Sequence, residues 1–229
     1  MKKYSLASFL EETIQQEEKN NFFELENKYM LEINIQNQTV SIKRGAMVAY
    51  DGQVKFKREG ILDKGVGNLL KKAVSGEGTS MMKASGNGRI YVADNSKKVR
   101  ILYLDNESIN INGNDVLAHD ENLKYNVKLM KSIAGMMGGG LFQVHLEGTG
   151  YIALTTYGNP ITLRVQPGKP IFTDPHATVA WSGNLTPSLK TDISFKTLLG
   201  RGSGESFQMQ FEGDGWVIVQ PFEEVYRSE

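Results

Sequence analysis

Ser85-Gly86-Asn87-Gly88-Arg89-Ile90-Tyr91-Val92 has two counterparts farther along the chain, Glu147-Gly148-Thr149-Gly150-Tyr151-Ile152-Ala153-Leu154 and Glu212-Gly213-Asp214-Gly215-Trp216-Val217-Ile218-Val219. Their first glycines stand at 86, 148 and 213. Self-similar content at a nearly fixed period is the mark of internal repeats. Glycine reaches φ > 0 without a Cβ clash, so Gly-x-Gly between two apolar runs reads as a tight strand-to-strand turn. The incoming residues alternate, with Met82 and Ala84, Val144 and Leu146, Met209 and Phe211; Ile90, Ile152 and Val217 follow the turns. Period-two patterning on both sides predicts three half-buried β-hairpins, with Gly86, Gly88, Gly148, Gly150, Gly213 and Gly215 as their structural glycines.

A second block accompanies each hairpin. Asp51, Asp120 and Asp174 each follow a glycine by six or seven residues and an aliphatic (Val48, Leu117, Ile171) by three. Aspartate at the start of a turn accepts from its own downstream amides, so these three are read as turn formers in preference to catalytic carboxylates. Between Asp turn and hairpin lie short pieces expected to be helical or irregular, at 69–74, 129–133 and 195–199. Each runs into a glycine-rich bend, at 76–78, 138–140 and 200–204.

Upstream, Tyr29, Leu31, Ile33 and Ile35 alternate, then Val40 and Ile42, with Gln36-Asn37-Gln38 read as a turn between two strands. Residues 5–19 read as an amphipathic helix, with Leu6, Phe9, Leu10, Thr13 and Ile14 on one stripe. Ser8 with Glu11 forms a possible capping box, and Ser5 is the alternative N-cap. The stripe is expected to pack on the body of the protein, and the acidic opposite face argues against an anionic lipid surface.

The expectation is therefore an all-β protein of three tandem β-sandwich-like repeats in a pseudo-threefold arrangement, preceded by one helix and carrying short linker helices. Its divisions are 1–21 (helix), 22–97, 98–157 and 158–229 (repeats), packed as one unit because each repeat alone buries little surface.

Chemistry is far less legible. Lys+Arg and Asp+Glu are equal at 26 each, so no basic excess favours nucleic acid. There is no cysteine, hence no disulfide or thiolate metal site. No apolar run approaches a membrane span and no signal-peptide core follows Met1-Lys2-Lys3-Tyr4, so a cytoplasmic location is expected. Gly200-Arg201-Gly202-Ser203-Gly204 lacks the GK[ST] ending of a phosphate loop, and an alternating strand pattern follows it. His119, His145 and His176 fall at non-equivalent repeat positions and so form no symmetric metal ring. No G-x-S-x-G elbow is present, and Asp192 and Asp214 have no evident partner carboxylate. Tyr151, Trp216 and Trp181 are read as fillers of inter-repeat seams rather than a base-stacking surface, and the pairs Met81-Met82 and Met136-Met137 as adaptable seam packing.

The repeat resembles that of the AIM24 family, whose members carry a Gly-Glu-Gly…Gly-x-Gly unit three times. Ser75-Gly76-Glu77-Gly78 with Gly86-x-Gly88 matches it first. Gly138-Gly139-Gly140 with Gly148-x-Gly150, and Gly202-Ser203-Gly204-Glu205-Ser206-Phe207 with Gly213-x-Gly215, match it again. Pro167-Gly168-Lys169-Pro170 and Asp174-Pro175-His176-Ala177-Thr178-Val179-Ala180-Trp181 are similar to a further family segment. The likeness spans about residues 25–221; Thr79-Ser80 depart from it, where an aromatic pair is the pattern. The resemblance implies a fold like that of the tryptophan RNA-binding attenuation protein, repeated within one chain. It implies no enzymatic activity, and the mitochondrial inner-membrane association of eukaryotic members does not transfer to a chain that shows no transit peptide.

On this reading the protein is a non-enzymatic interaction or scaffold protein without cofactor, self-associating through exposed edges or repeat faces, with an unknown protein partner also possible. The alternative is an RNA- or small-ligand-binding module using Lys43, Arg44, Lys55, Lys57 and Arg58 with Tyr50 and Phe56. An enzyme would need two of the histidines and an aspartate to converge in a cleft.

Overall fold

A computed structural model of the 229-residue chain describes residues 4–15, 21–58, 81–130, 142–191 and 207–223. The expected linker helices at 69–74 and 195–199, and the three glycine-rich bends, lie outside those residues. Residues 129–133 fall partly within them, and there Leu129 closes a strand rather than opening a helix.

Among the described residues the protein is all-β apart from one helix, α1 (Leu6–Thr13), and one turn of 3-10 helix (Gly113–Asp115). The first strands are β1 (Phe23–Asn27), β2 (Met30–Lys43), β3 (Met47–Tyr50), β4 (Gln53–Arg58) and β5 (Met81–Val92). Then come β6 (Lys98–Asn112), β7 (Val116–Asp120), β8 (Lys124–Leu129) and β9 (Phe142–Thr156). The last are β10 (Ile161–Val165), β11 (Ile171–Thr173), β12 (Thr178–Ser182), β13 (Ser188–Thr191), β14 (Phe207–Phe211) and β15 (Gly215–Val219).

Twelve strands form one sheet with the path β10-β15-β12-β6-β9-β7-β2-β5-β3, joined from the side by β1, β4 and β8; β11, β14 and β13 form a second sheet. All pairings are antiparallel. The long strands β2 and β5 pair from Leu31↔Val92 to Lys43↔Met81, and β3 and β4 lie along the other edge of β5. Likewise β6 pairs with β9 from Lys98↔Thr156 to Asn112↔Gln143, and β7 and β8 lie along the far edge of β9. In the last third β10 and β11 face β15 and β14, which carry β12 and β13.

Gln36-Asn37-Gln38 is a bulge within β2, not a turn between strands. Asn37 adopts φ 53°, and the register against β5 shifts between Gln36 and Gln38. One extra residue flips the side-chain parity. Leu31, Ile33 and Ile35 before it, and Val40 and Ile42 after it, are consequently all core residues with at most 1% exposure.

Nor are the first two Gly-x-Gly motifs hairpin turns. Gly86 and Gly88 sit inside β5, and Gly148 and Gly150 inside β9. They face the bulges: Gly88 is opposite Ile35 and Gly86 opposite Gln38, while Gly150 is opposite Leu104 and Gly148 opposite Glu107. The middle residue ties the bulge down. The Asn37 amide donates to Asn87 Oδ1 at 2.9 Å, and the Asn106 amide to Thr149 Oγ1 at 3.0 Å. Gly213-x-Gly215 does lie where β14 gives way to β15, but those strands belong to different sheets and do not pair, so it closes no hairpin either.

Glycine is needed in β5 because a neighbouring turn rests on it. A Cβ at Gly86 would stand 2.1 Å from the Gln53 carbonyl oxygen, and one at Gly88 2.1 Å from that of Asp51. The motif bends a long strand and admits a crossing turn, which explains why it looks like a turn locally.

The core falls into three apolar clusters, one around Leu31, Ile33 and Ile90, one around Ile111, Val144 and Ile152, and one around Trp181, Met209 and Phe211. Helix α1 belongs to none of them. Ser5 caps it, accepting from the Ser8 amide at 3.2 Å, so the helix starts one turn ahead of a Ser8–Glu11 box. Contrary to expectation its apolar stripe does not pack on the body. Leu6 and Ile14 are more than 70% exposed and no helix residue is buried. Just past its end, Gln15 donates to Glu32 and Tyr91, which holds the segment near β2 and β5.

Candidate functional site

Two joints knit the large sheet together, and the best-defined side-chain chemistry lies along them. At the first, β2 pairs with β7 through Val40↔Asp120, Ser41↔His119 and Ile42↔Ala118. At the second, β6 pairs with β12 through Ile111↔Ala180, Asn110↔Trp181 and Ile109↔Ser182.

The first joint is ionic. Lys43 Nζ donates to Asp94 Oδ2 and to the Asn114 carbonyl, each at 2.8 Å. Thr155 Oγ1 donates to the same Asp94 oxygen at 3.3 Å. Deeper in, Lys97 pairs with Asp115 at 3.0 Å, with side chains 5% and 1% exposed, and the Lys97 ammonium lies 5.0 Å from the Tyr157 ring centroid. Farther along, Glu121 accepts from both Ser41 and Lys83. Burial pushes the Glu121 carboxyl up, but the bonds from Lys83 and Ser41 outweigh it and hold the group below its ordinary value. A cleft of about 260 Å³ opens beside Lys43 and Asp94, lined also by Arg44, Gly45, Ala46, Ala93 and Asn95. Two lysines on two aspartates leave the cluster charge-balanced, and each cation is already held. Its chemistry is that of a clasp fixing the β6–β7 connection against β2.

The second joint is built of amides. Asn110 Nδ2 donates to the carbonyls of Ser182 at 3.0 Å and Leu185 at 3.4 Å, and Asn110 Oδ1 accepts from Gln143 Nε2 at 2.6 Å. His145 Nδ1 stands 2.8 Å from the same oxygen. Asn112 Nδ2 donates to the Thr178 carbonyl at 3.3 Å.

The three predicted turn aspartates separate into two kinds. Asp51, between β3 and β4, is bound across the sheet by Arg89, which donates from its amide at 3.1 Å and from Nε at 3.0 Å. Asp120, ending β7, accepts from the Asn122 amide at 3.0 Å, as a turn former does. Both crowd the central glycines of the strand beneath: a Cβ at Gly150 would lie 3.0 Å from the Asp120 Cβ. Asp174 also caps its own turn, through the His176 amide, but that turn joins β11 to β12. It is not the counterpart of the other two. At the matching place the chain has Ser182, whose Oγ would be 2.6 Å from a Cβ at Gly215. Asp174 is thus a turn former as the sequence suggested, though its turn precedes β12 whereas those of Asp51 and Asp120 follow β3 and β7.

The histidines do not converge. His119 stacks on Tyr125 with centroids 4.9 Å apart, His145 belongs to the Asn110 network, and His176 lies in the Asp174 turn. Among the described residues no three His, Asp or Glu side chains group as metal ligands. Trp181 is buried edge-on to Phe211 at 5.6 Å, and Tyr151 packs among Phe22, Phe23 and Tyr103. Of the basic candidates, Lys43 is spent in the clasp, while Lys55 and Lys57 are exposed on one face of β4 and Arg58 is exposed on the face that carries Val54 and Phe56. Tyr50 stacks edge-on to Phe56 at 5.1 Å.

The family model described as mitochondrial biogenesis AIM24 matches residues 23–222. The chain belongs to the AIM24 family. An uncharacterized protein of Streptococcus pyogenes serotype M6 is 26% identical over 202 residues, covering 83% of this chain and 80% of that protein. A crystal structure of a Streptococcus pyogenes protein superposes with TM-score 0.68 at 24% identity, covering 88% of this chain and 92% of that one, and so shares the fold. Helix α1 precedes the family match. No helix among the described residues is long and apolar enough to cross a membrane.

Proposed function

We propose that this AIM24-family chain is a non-enzymatic interaction protein that self-associates, built from three copies of one β unit. The observation that carries the interaction role is the exposed apolar stripe of α1, with Leu6, Phe9, Leu10 and Ile14 all more than half exposed. Isolated exposed aliphatics are ordinary; an amphipathic helix with its whole apolar stripe in water has a surface to cover. The threefold copying is supported by the pairing order. In each third a long strand or its two halves meets a central strand, whose other edge takes two short strands. The same one-residue register shift recurs at Met47/Ala49, Val116/Ala118 and Thr178/Ala180. The non-enzymatic reading is supported by the employment of the polar groups at the two joints, where the buried lysines, aspartates and Asn110 hold strands together.

Deleting residues 1–20 tests the role of the helix. The full chain is expected to sediment as an oligomer, and the truncated chain at lower mass or with lower solubility. An unchanged sedimentation profile contradicts it. The second reading, an RNA-binding surface, draws on Lys55 and Lys57 exposed on one face of β4, with Arg58 and the Tyr50–Phe56 pair on the other. It predicts a gel shift with single-stranded RNA that weakens steeply with salt.

A further inference from the structure

The two internal joints follow one rule: a short strand from one third of the chain pairs with the second half of the long strand of the third before it. So β7 lies on β2 and β12 lies on β6. The rule leaves one strand over at each end. Strand β3 occupies the place of β7 and β12, yet among the described residues it pairs with β5 alone; β11 occupies the place of the β2 and β6 halves, yet pairs with β14 alone. They do not pair with each other.

Burial registers the missing neighbours. Leu117, Ala118 and His119 of β7 are at most 3% exposed and every residue of β12 is buried, whereas Val48 and Tyr50 of β3 are 57% and 49% exposed. On β11, Phe172 is 49% exposed, whereas its counterparts Ser41 and Asn110 are each 1% exposed. Natural edge strands are protected by shortness, charge, proline or a bulge; β3 and β11 are short, but the bulge of β3 recurs in β7 and β12, which pair nonetheless. Met47-Val48-Ala49-Tyr50 and Ile171-Phe172-Thr173 contain no charged residue and no proline.

The geometry points to a head-to-tail contact in which β3 of one copy pairs antiparallel with β11 of a second copy, repeating the internal joint between chains. The register follows from the two joints already present. Ser41↔His119 and Asn110↔Trp181 place Tyr50 opposite Phe172, and Ile42↔Ala118 and Ile111↔Ala180 place Ala49 opposite Thr173. Two half-exposed aromatics thereby cover each other, a favourable cross-strand pair. Such a contact is heterologous: each copy offers one end of each kind, so assembly closes into a ring or extends as a filament. This deepens the self-association proposed above by naming its surfaces.

The chain has no cysteine, so a single introduced thiol is unambiguous. Full-length Tyr50→Cys and full-length Phe172→Cys are mixed and oxidised. The expected result is a covalent dimer in the mixture and little in either variant alone, with reduction restoring the 25.5 kDa chain. Tyr50→Lys and Phe172→Lys, each at a half-exposed position, are expected to convert the wild-type oligomer to a folded monomer by sedimentation, with far-UV circular dichroism unchanged. An oligomer that survives both lysine variants with no mixed cross-link overturns this contact while leaving self-association intact. A wild-type chain monomeric at all concentrations overturns both.

Discussion

The two joints have the same backbone geometry and opposite chemistry. Where β2 meets β7 the side chains are Lys43, Asp94, Lys97, Asp115, Lys83 and Glu121; where β6 meets β12 they are Asn110, Asn112, Gln143 and His145. Lys83 stands opposite Ser41 as His145 stands opposite Asn110, so these are corresponding positions filled differently. The contrast teaches that strand pairing makes the joint and side chains make it particular. Buried charge demands exact partners, because a lone ion left in the interior is costly; a buried amide demands partners too, but at a lower penalty.

Three substitutions probe that contrast, in falling order of effect. Asp115→Ala removes the carboxylate paired with the buried Lys97 ammonium and is expected to cost about 3–5 kcal/mol, the range for breaking a buried pair from one side; chemical denaturation reads it directly. Asn110→Ala removes the hub of the amide joint and should cost about 1–3 kcal/mol, since the Leu185 carbonyl loses the Asn110 donor and Gln143 loses the Asn110 acceptor, while the Ser182 carbonyl keeps the Leu185 amide. If this loss equals or exceeds that of Asp115→Ala, the distinction between the joints is wrong.

Glu121→Gln is the mildest, at about 1 kcal/mol near neutral pH, because Lys83 is about one-third exposed and solvent weakens the pair. Its sign with pH is fixed. The folded-state carboxyl titrates below its ordinary value, so its contribution is complete above that ordinary value and fades as pH falls through the folded one. Wild type and Glu121→Gln should therefore converge in stability in acid, and differ less in high salt. Tyr91 supplies an alkaline counterpart. Burial, then the bond and charge of Glu32, push its phenol up to about 12. Stability should consequently fall between about pH 10 and pH 12, and Tyr91→Phe should abolish that part of the fall.

The class of fold was readable from Leu31, Ile33, Ile35, Val40 and Ile42, because alternation is a local consequence of burying one strand face. What defeated the reading was always non-local. Gly86-Asn87-Gly88 satisfies every local requirement of a hairpin turn, and only the Asp51 turn, brought against it by folding, shows that the strand runs on. Asn37 looked like a turn because a left-handed residue is common to turns and bulges. Helix α1 was periodic enough to recognise, but periodicity says that a stripe wants cover and not where the cover is. The clasp left no trace in the sequence, for Lys97 and Lys98 are adjacent and one is buried while the other meets Asn159 at the surface.

The central claim is that the ends of the β array, β3 and β11, are open in one chain and covered by another. Hydrogen exchange at the backbone amides of 47–50 and 171–173, followed from dilute to concentrated protein, tests it most directly. The account predicts fast exchange in both segments when dilute and joint protection as concentration rises, with the amides of β7 and β12 protected throughout. Exchange in 47–50 and 171–173 that is independent of concentration would contradict it.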